Sequence, residues 1–133
     1  PFGSETVLVV EDDLQVTTLV GGILRRFGYH TLLADGAEDA LLVSRSHPGT
    51  IHLLITDVIM PGISGLDLAG RLVQERPGIK VLLMSGRTDD IVAAAGLSGG
   101  TNHFLGKPFT PVRVARRVRE ILDAADDAEG GAE

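Results

Sequence analysis

Short runs of apolar residues alternate along this chain with longer segments in which apolar residues recur every three or four positions. The continuous runs predict strands that are buried on both faces, and the longer segments predict amphipathic helices. The predicted strands are residues 6–10, 29–34, 53–56, 80–84 and 103–105, of which the second is the most exposed. The predicted helices are residues 14–27, 37–46, 65–75, 89–97 and 111–125.

Residues that favour helix ends stand where this pattern needs them. Asp13 and Thr110 can each accept a hydrogen bond at a helix N-terminus, Pro111 takes a first helical position, and Gly28 follows the first helix. We prefer this capping role for Asp13 to a role as a ligand. Strands and helices alternate throughout, which predicts an α/β fold with a doubly wound parallel sheet and ligands outside the carboxyl ends of its strands.

Composition narrows the class of protein. A length of 133 residues fits one domain, which we place at residues 6–125, after a linker or cloning scar at 1–5 and before an acidic flexible tail at 126–133. The net charge of −6 disfavours nucleic acid as a partner of this domain, and no apolar run is long enough to cross a membrane. The absence of cysteine excludes disulfides and thiolate chemistry, and a cytoplasmic location is expected.

Polar residues that can act together follow four of the predicted strands. Glu11 and Asp12 follow the first strand, Asp57 the third, Ser85 the fourth and Lys107 the fifth. Carboxylates gathered in one pocket repel one another unless a cation holds them, and hard oxygen ligands suit Mg²⁺. A hydroxyl and an ammonium beside them can bind phosphoryl oxygens, which leaves one carboxylate to act as a nucleophile.

These motifs resemble the receiver domains of two-component response regulators over about residues 7–122. The acidic pair of that family matches Glu11 and Asp12 in the sequence Val-Val-Glu-Asp-Asp, and its phosphoacceptor matches Asp57 in Ile-Thr-Asp-Val-Ile-Met-Pro-Gly. Its hydroxyl residue matches Ser85, and its lysine matches Lys107 in Gly-Lys-Pro-Phe. The resemblance implies a flavodoxin-like fold of five parallel strands in the order 2-1-3-4-5.

The resemblance also implies how the site would work. Asp57 would take a phosphoryl group from a histidine kinase or a histidine phosphotransfer domain, so the chain would be a phosphoacceptor and not an enzyme in the ordinary sense. Asp12, Asp57 and the backbone carbonyl of Ile59 would hold Mg²⁺ directly, and Glu11 would reach the ion through water.

A second group of residues would respond to the phosphorylation of Asp57. Lys107 and Ser85 would each bind a phosphoryl oxygen, and Phe104 would turn inward into the space that Ser85 leaves. This movement would change the face formed by the last strand and the last two predicted helices. By the same resemblance, Ile59 and Arg87 stand at positions that tune how readily water reaches the phosphoaspartate. Because an apolar Ile59 cannot orient an attacking water molecule, we expect a long-lived acyl phosphate.

Several alternatives remain at this point. The segments 84–86, 88–90 and 107–111 together resemble receivers at the C-terminus of hybrid sensor histidine kinases, and a free-standing regulator is the alternative parent. A Mg²⁺-dependent aspartyl-phosphate phosphatase is a rival, but such enzymes carry a second acid two residues past the nucleophile, where this chain has Ile59. A degenerate receiver that only binds proteins would lack one of the site residues named above.

Overall fold

The computed structural model describes residues 2–85, 103–106 and 110–124 of the chain. Its strands are β1 (Thr6–Val10), β2 (His30–Ala34), β3 (Leu53–Asp57), β4 (Lys80–Ser85) and β5 (His103–Gly106). Its helices are α1 (Leu14–Arg26), α2 (Ala37–Ser46), α3 (Gly65–Glu75) and α4 (Pro111–Asp123). The predicted helix at 89–97 and the predicted tail at 126–133 lie outside the described residues.

The strands form one parallel sheet in the order β2-β1-β3-β4-β5, which confirms the predicted fold class and strand order. Strands β3, β4 and β5 each run one residue further than their apolar pattern predicted. The extra residues join the ladder, since Asp57 aligns with Met84 and Ser85 with Gly106. The last residues of these strands therefore lie next to one another at one edge of the sheet.

Helix ends agree with the predicted capping residues. The Asp13 carboxylate accepts a hydrogen bond from the Gln15 amide at 2.9 Å, which confirms Asp13 as the N-cap of α1. Thr110 caps α4 in the same way, and Gly28 adopts a φ of 97° just after α1. Ser64, which the pattern did not single out, caps α3 by accepting from an amide in its first turn.

Two layers of aliphatic side chains bury the two faces of the sheet. One layer lies under α2 and α3 and the other under α1 and α4, because successive residues of each strand point to opposite faces. Strands β1 and β3 are buried almost along their whole length, as central strands of a doubly wound sheet are. This packing fixes the strand ends on which the polar residues stand.

Basic side chains bind the C-terminal ends of two helices, on the side of the sheet where the strands begin. Arg76 donates to the backbone carbonyls of Ser44, His47 and Gly49 at 2.7–2.8 Å, which satisfies the C-terminal end of α2. Lys80 donates to the carbonyl of Ile121 near the end of α4 at 3.0 Å. These cations interact favourably with the negative ends of the helix dipoles.

The segment from Phe2 to Glu5 contacts the body of the domain. Arg119 of α4 makes two contacts with the Glu5 carboxylate, at 3.0 and 2.7 Å, and a third with the Tyr29 hydroxyl at 3.1 Å. The ring of Phe2 lies 5.1 Å from that of Phe27.

The domain limits of 6–125 stay a prediction. No helix among the described residues has the length and apolar character that crossing a membrane requires.

Candidate functional site

Three carboxylates meet at the edge of the sheet where the strands end. One oxygen from each of Glu11, Asp12 and Asp57 lies within 4.8 Å of those of the other two. The parallel pairing of β1 with β3 produces this arrangement, because Val10 aligns with Thr56 and an acidic residue, Glu11 or Asp57, comes next in each chain segment. Glu11 is 2% exposed, Asp57 is half-buried and Asp12 is exposed, so the cluster opens from the protein interior to solvent.

Several backbone contacts hold Glu11 in this cluster. Its amide donates to the carbonyl of Ala34 at 3.2 Å, and its own carbonyl accepts from the buried hydroxyl of Thr17 at 3.1 Å. The Glu11 carboxylate accepts from the Asp13 amide at 3.3 Å. The acid is thus fixed in a place where water has little access.

This environment makes the charged form of Glu11 unfavourable. Burial raises the pKa of the Glu11 carboxyl, and its neighbours Asp12 and Asp57 raise the pKa further, to about 7. A divalent cation between the carboxylates would remove this penalty. The donor set consists of hard carboxylate oxygens in small number, which fits Mg²⁺ with water completing its coordination.

Asp57 ends β3, and two backbone amides that follow it make hydrogen bonds there. The Val58 amide joins the strand end to β4 by donating to the Met84 carbonyl at 3.0 Å. The Ile59 amide donates to Asp57 Oδ1 at 3.3 Å. The Ile59 side chain is 59% exposed, so an apolar group lies beside the carboxylates at the surface.

Of the other four predicted site residues, the structure describes Ser85 and Phe104. Ser85 ends β4, is 2% exposed, and follows Met84, the residue aligned with Asp57 on the neighbouring strand. Phe104 is half-buried and packs against the core layer under α2 and α3, alongside Leu83. Lys107 and Arg87 lie outside the described residues.

Sequence reasoning missed one residue that contacts the site. Gly65 begins α3, and a methyl group on it would overlap the carbonyl oxygen of Asp57. Its amide also donates to the Val58 carbonyl at 2.9 Å. A glycine at the first position of a predicted helix was the available signal, since glycine is a poor helix former and often marks a close approach.

Comparison with known proteins places this arrangement in a family. The family model for the response regulator receiver domain matches residues 7–119. The chain belongs to this family. The receiver is 29% identical over 124 residues to the DNA-binding response regulator MtrA of Mycobacterium tuberculosis, covering 92% of the chain and 53% of MtrA. It is 35% identical over 118 residues to the probable transcriptional regulatory protein TcrX of the same species, covering 88% of the chain and 49% of TcrX.

The receiver thus spans about half the length of the curated relatives it matches. Its fold resembles that of a response regulator receiver domain protein from Clostridium thermocellum, with a TM-score of 0.80 and 22% identity over 92% of this chain and 97% of that one. It also resembles the response regulator TrrA from Thermotoga maritima, which was solved with Mg²⁺-BeF. That match has a TM-score of 0.75 and 26% identity over 88% of this chain and 98% of TrrA.

Proposed function

We propose that Asp57 accepts a phosphoryl group from a phosphohistidine of a histidine kinase or a histidine phosphotransfer domain. The observation that carries the proposal is the convergence of Glu11, Asp12 and Asp57, whose carboxylate oxygens lie within 4.8 Å of one another. A carboxylate oxygen of Asp57 attacks phosphorus, an acyl phosphate bond forms, and the bond from phosphorus to the imidazole nitrogen breaks. The imidazole leaves with the electron pair of that bond.

The residues of this chain divide the work of that reaction. Asp12, Asp57 and the backbone carbonyl of Ile59 would hold Mg²⁺ directly, with Glu11 acting through water. When bound, the ion would neutralise the charge that gathers as the phosphoryl group arrives. The Ile59 amide restricts rotation of the Asp57 carboxylate by donating to Oδ1. The structure of TrrA supports the proposal, because this related response regulator was solved in complex with Mg²⁺-BeF.

The proposal extends to a switch on the neighbouring strands. Lys107 pairs with one phosphoryl oxygen, and Ser85 moves to donate a hydrogen bond to another. Phe104, half-buried on β5, then fills the space that Ser85 leaves and alters the adjacent surface. Such a change is a shift between two packed states, driven by a group that adds roughly two negative charges.

Intact-mass measurement after incubation with acetyl phosphate and Mg²⁺ tests the phosphoacceptor role. We expect one phosphoryl adduct on the wild type and none on Asp57→Asn. Asp67→Asn is the matched control, since Asp67 is an exposed aspartate of the first turn of α3 that does not belong to the carboxylate cluster. A wild type without adduct, or an undiminished adduct on Asp57→Asn, would refute the proposal.

We also propose that this domain works through protein partners in the cytoplasm and does not itself bind nucleic acid or a membrane. The net charge of −6 supports this, because nucleic acid and anionic lipid are recognised by basic surfaces. DNA binding is named for MtrA, a relative about twice as long as this chain. The phosphatase alternative is disfavoured by the apolar, exposed Ile59 in the position of the second acid.

The parent chain is the last part of the proposal. Sequence segments 84–86, 88–90 and 107–111 favour the C-terminal receiver of a hybrid histidine kinase, with a free-standing regulator as the alternative. Sequencing the full-length gene product distinguishes them. A kinase core that precedes this domain would support the hybrid assignment, whereas a chain made of this domain alone, or one in which a DNA-binding domain follows it, would contradict that assignment.

A further inference from the structure

Helix α3 begins in unusually close contact with the end of β3. A methyl group placed on Gly65 would overlap the Asp57 carbonyl oxygen and would lie 2.8 Å from the carbonyl carbon. It would also lie 3.1 Å from the hydroxyl oxygen of the fully buried Thr56. The atoms in the way belong to the backbone and to a buried side chain, so a larger residue could fit only if the helix and the strand end moved apart.

The two elements that form this contact, the end of β3 and the start of α3, are each fixed by other contacts. The end of β3 pairs with β4, where Asp57 aligns with Met84 and the Val58 amide donates to the Met84 carbonyl at 3.0 Å. The start of α3 is fixed by the Ser64 hydroxyl, which accepts from the Asp67 amide at 3.1 Å, and by the buried Leu68 one turn later. The contact of Gly65 with Asp57 therefore determines how far the helix lies from the strand end.

The same glycine closes the loop that follows Asp57. Its amide donates to the Val58 carbonyl at 2.9 Å, which joins the two ends of the segment 58–65. This loop carries Ile59, whose amide donates to Asp57 Oδ1. A displacement at Gly65 would reach the Asp57 carboxylate by two routes, through the strand backbone and through the loop.

We infer that Gly65 is a positioning residue for phosphoryl transfer: its lack of a side chain keeps the Asp57 carboxylate in register with Glu11 and Asp12. The inference rests on the proposed function of Asp57. A reacting group displaced by about 1 Å can lose roughly a hundredfold in rate. We therefore expect Gly65→Ala to be phosphorylated by acetyl phosphate about 10 to 100 times more slowly than the wild type, and to bind Mg²⁺ more weakly.

The same helix supplies a matched control. Gly70 of α3 is exposed, and a methyl group on it would meet no atom within 4 Å. Gly70→Ala makes the same chemical change in the same element, so it should keep the phosphorylation rate and the Mg²⁺ affinity of the wild type. A loss in Gly65→Ala alone would then be due to the contact with Asp57.

A second control separates positioning from stability. Ile121→Val removes a methylene group from the core layer under α1 and α4, on the other side of the sheet from α3. Such a deletion lowers the melting temperature without a change near the carboxylates. Phosphorylation rates and Mg²⁺ titrations are compared at a temperature where every variant is folded, and Ile121→Val should match the wild type in both.

Each outcome decides the inference. Equal rates and Mg²⁺ affinities for Gly65→Ala and the wild type would overturn it and leave the proposed function intact. Failure of Gly65→Ala to fold, even with a stabilising osmolyte such as trimethylamine N-oxide, would also overturn it, because the role would then be structural. A wild type that takes no phosphoryl group would overturn the proposed function together with this inference.

Discussion

Glu11→Gln should make the metal-free domain more stable at alkaline pH while weakening its hold on Mg²⁺. Glutamine keeps the shape of the side chain and removes its charge. Glu11 is 2% exposed, so its charge is poorly solvated, and its carboxylate lies within 4.8 Å of two other carboxylates. The substitution therefore removes a repulsion that the wild type has whenever all three acids are ionised.

The magnitude follows from the pKa of Glu11. Burial, and then the neighbouring Asp12 and Asp57, raise this pKa from 4.5 to about 7. At about 1.4 kcal/mol per pH unit, the charged form costs at most about 3.5 kcal/mol of folding free energy. Because the folded pKa is raised, the cost is absent below pH 4.5 and is complete only once the pH has risen through 7. We expect Glu11→Gln to gain about 1–3 kcal/mol at pH 8 and almost nothing at pH 4.

Urea unfolding at pH 4 and pH 8, with a chelator or with Mg²⁺, measures this difference. Saturating Mg²⁺ should stabilise the wild type, by about 2.7 kcal/mol at a hundredfold excess over Kd, and should stabilise Glu11→Gln less. Glu38→Gln, a change at an exposed glutamate of α2, should behave as the wild type throughout. A Glu11→Gln variant that is less stable than the wild type at pH 8 without metal would refute the reasoning.

Two further predictions concern other parts of the domain. The Arg119 guanidinium holds the pKa of Glu5 at about 2, so the stability from this pair is present above pH 4.5 and is lost as the pH falls towards 2. Urea unfolding should find Glu5→Gln less stable by about 2 kcal/mol at pH 7 and by much less at pH 3, whereas a pH-independent difference would contradict this. Ile59→Asn should shorten the lifetime of the acyl phosphate, measured after removal of acetyl phosphate, and an equal or longer lifetime would contradict the role of Ile59.

The secondary structure was predictable because it depends on local periodicity. Helices α2 and α3 have the predicted bounds, and the capping roles of Asp13 and Thr110 follow from side chains close to the helix ends they serve. The strand ends were less predictable. Whether Asp57 or Ser85 extends its strand depends on a partner in another strand, and no property of the residue itself contains that information.

The carboxylate cluster was predictable for a different reason. Parallel strands place their carboxyl ends at one edge, so acidic residues after two neighbouring strands must lie close together once the strand order is known. The order itself came from the resemblance to receiver domains and not from the apolar pattern. The contact of Gly65 with Asp57 and the pairing of Arg119 with Glu5, 114 residues apart, depend on approaches that no local pattern encodes.

The energetics of the cluster connect the fold to the proposed reaction. The Thr17 hydroxyl and the Asp13 amide hold Glu11 in a buried position, where its charge is unfavourable. The two aliphatic layers of the core supply the stability that tolerates this cost. A cation that removes the repulsion recovers the same free energy as binding affinity. The fold therefore maintains an acidic site whose repulsion a bound cation would relieve, and in the proposed reaction Asp57 would attack a phosphoryl group from this occupied site.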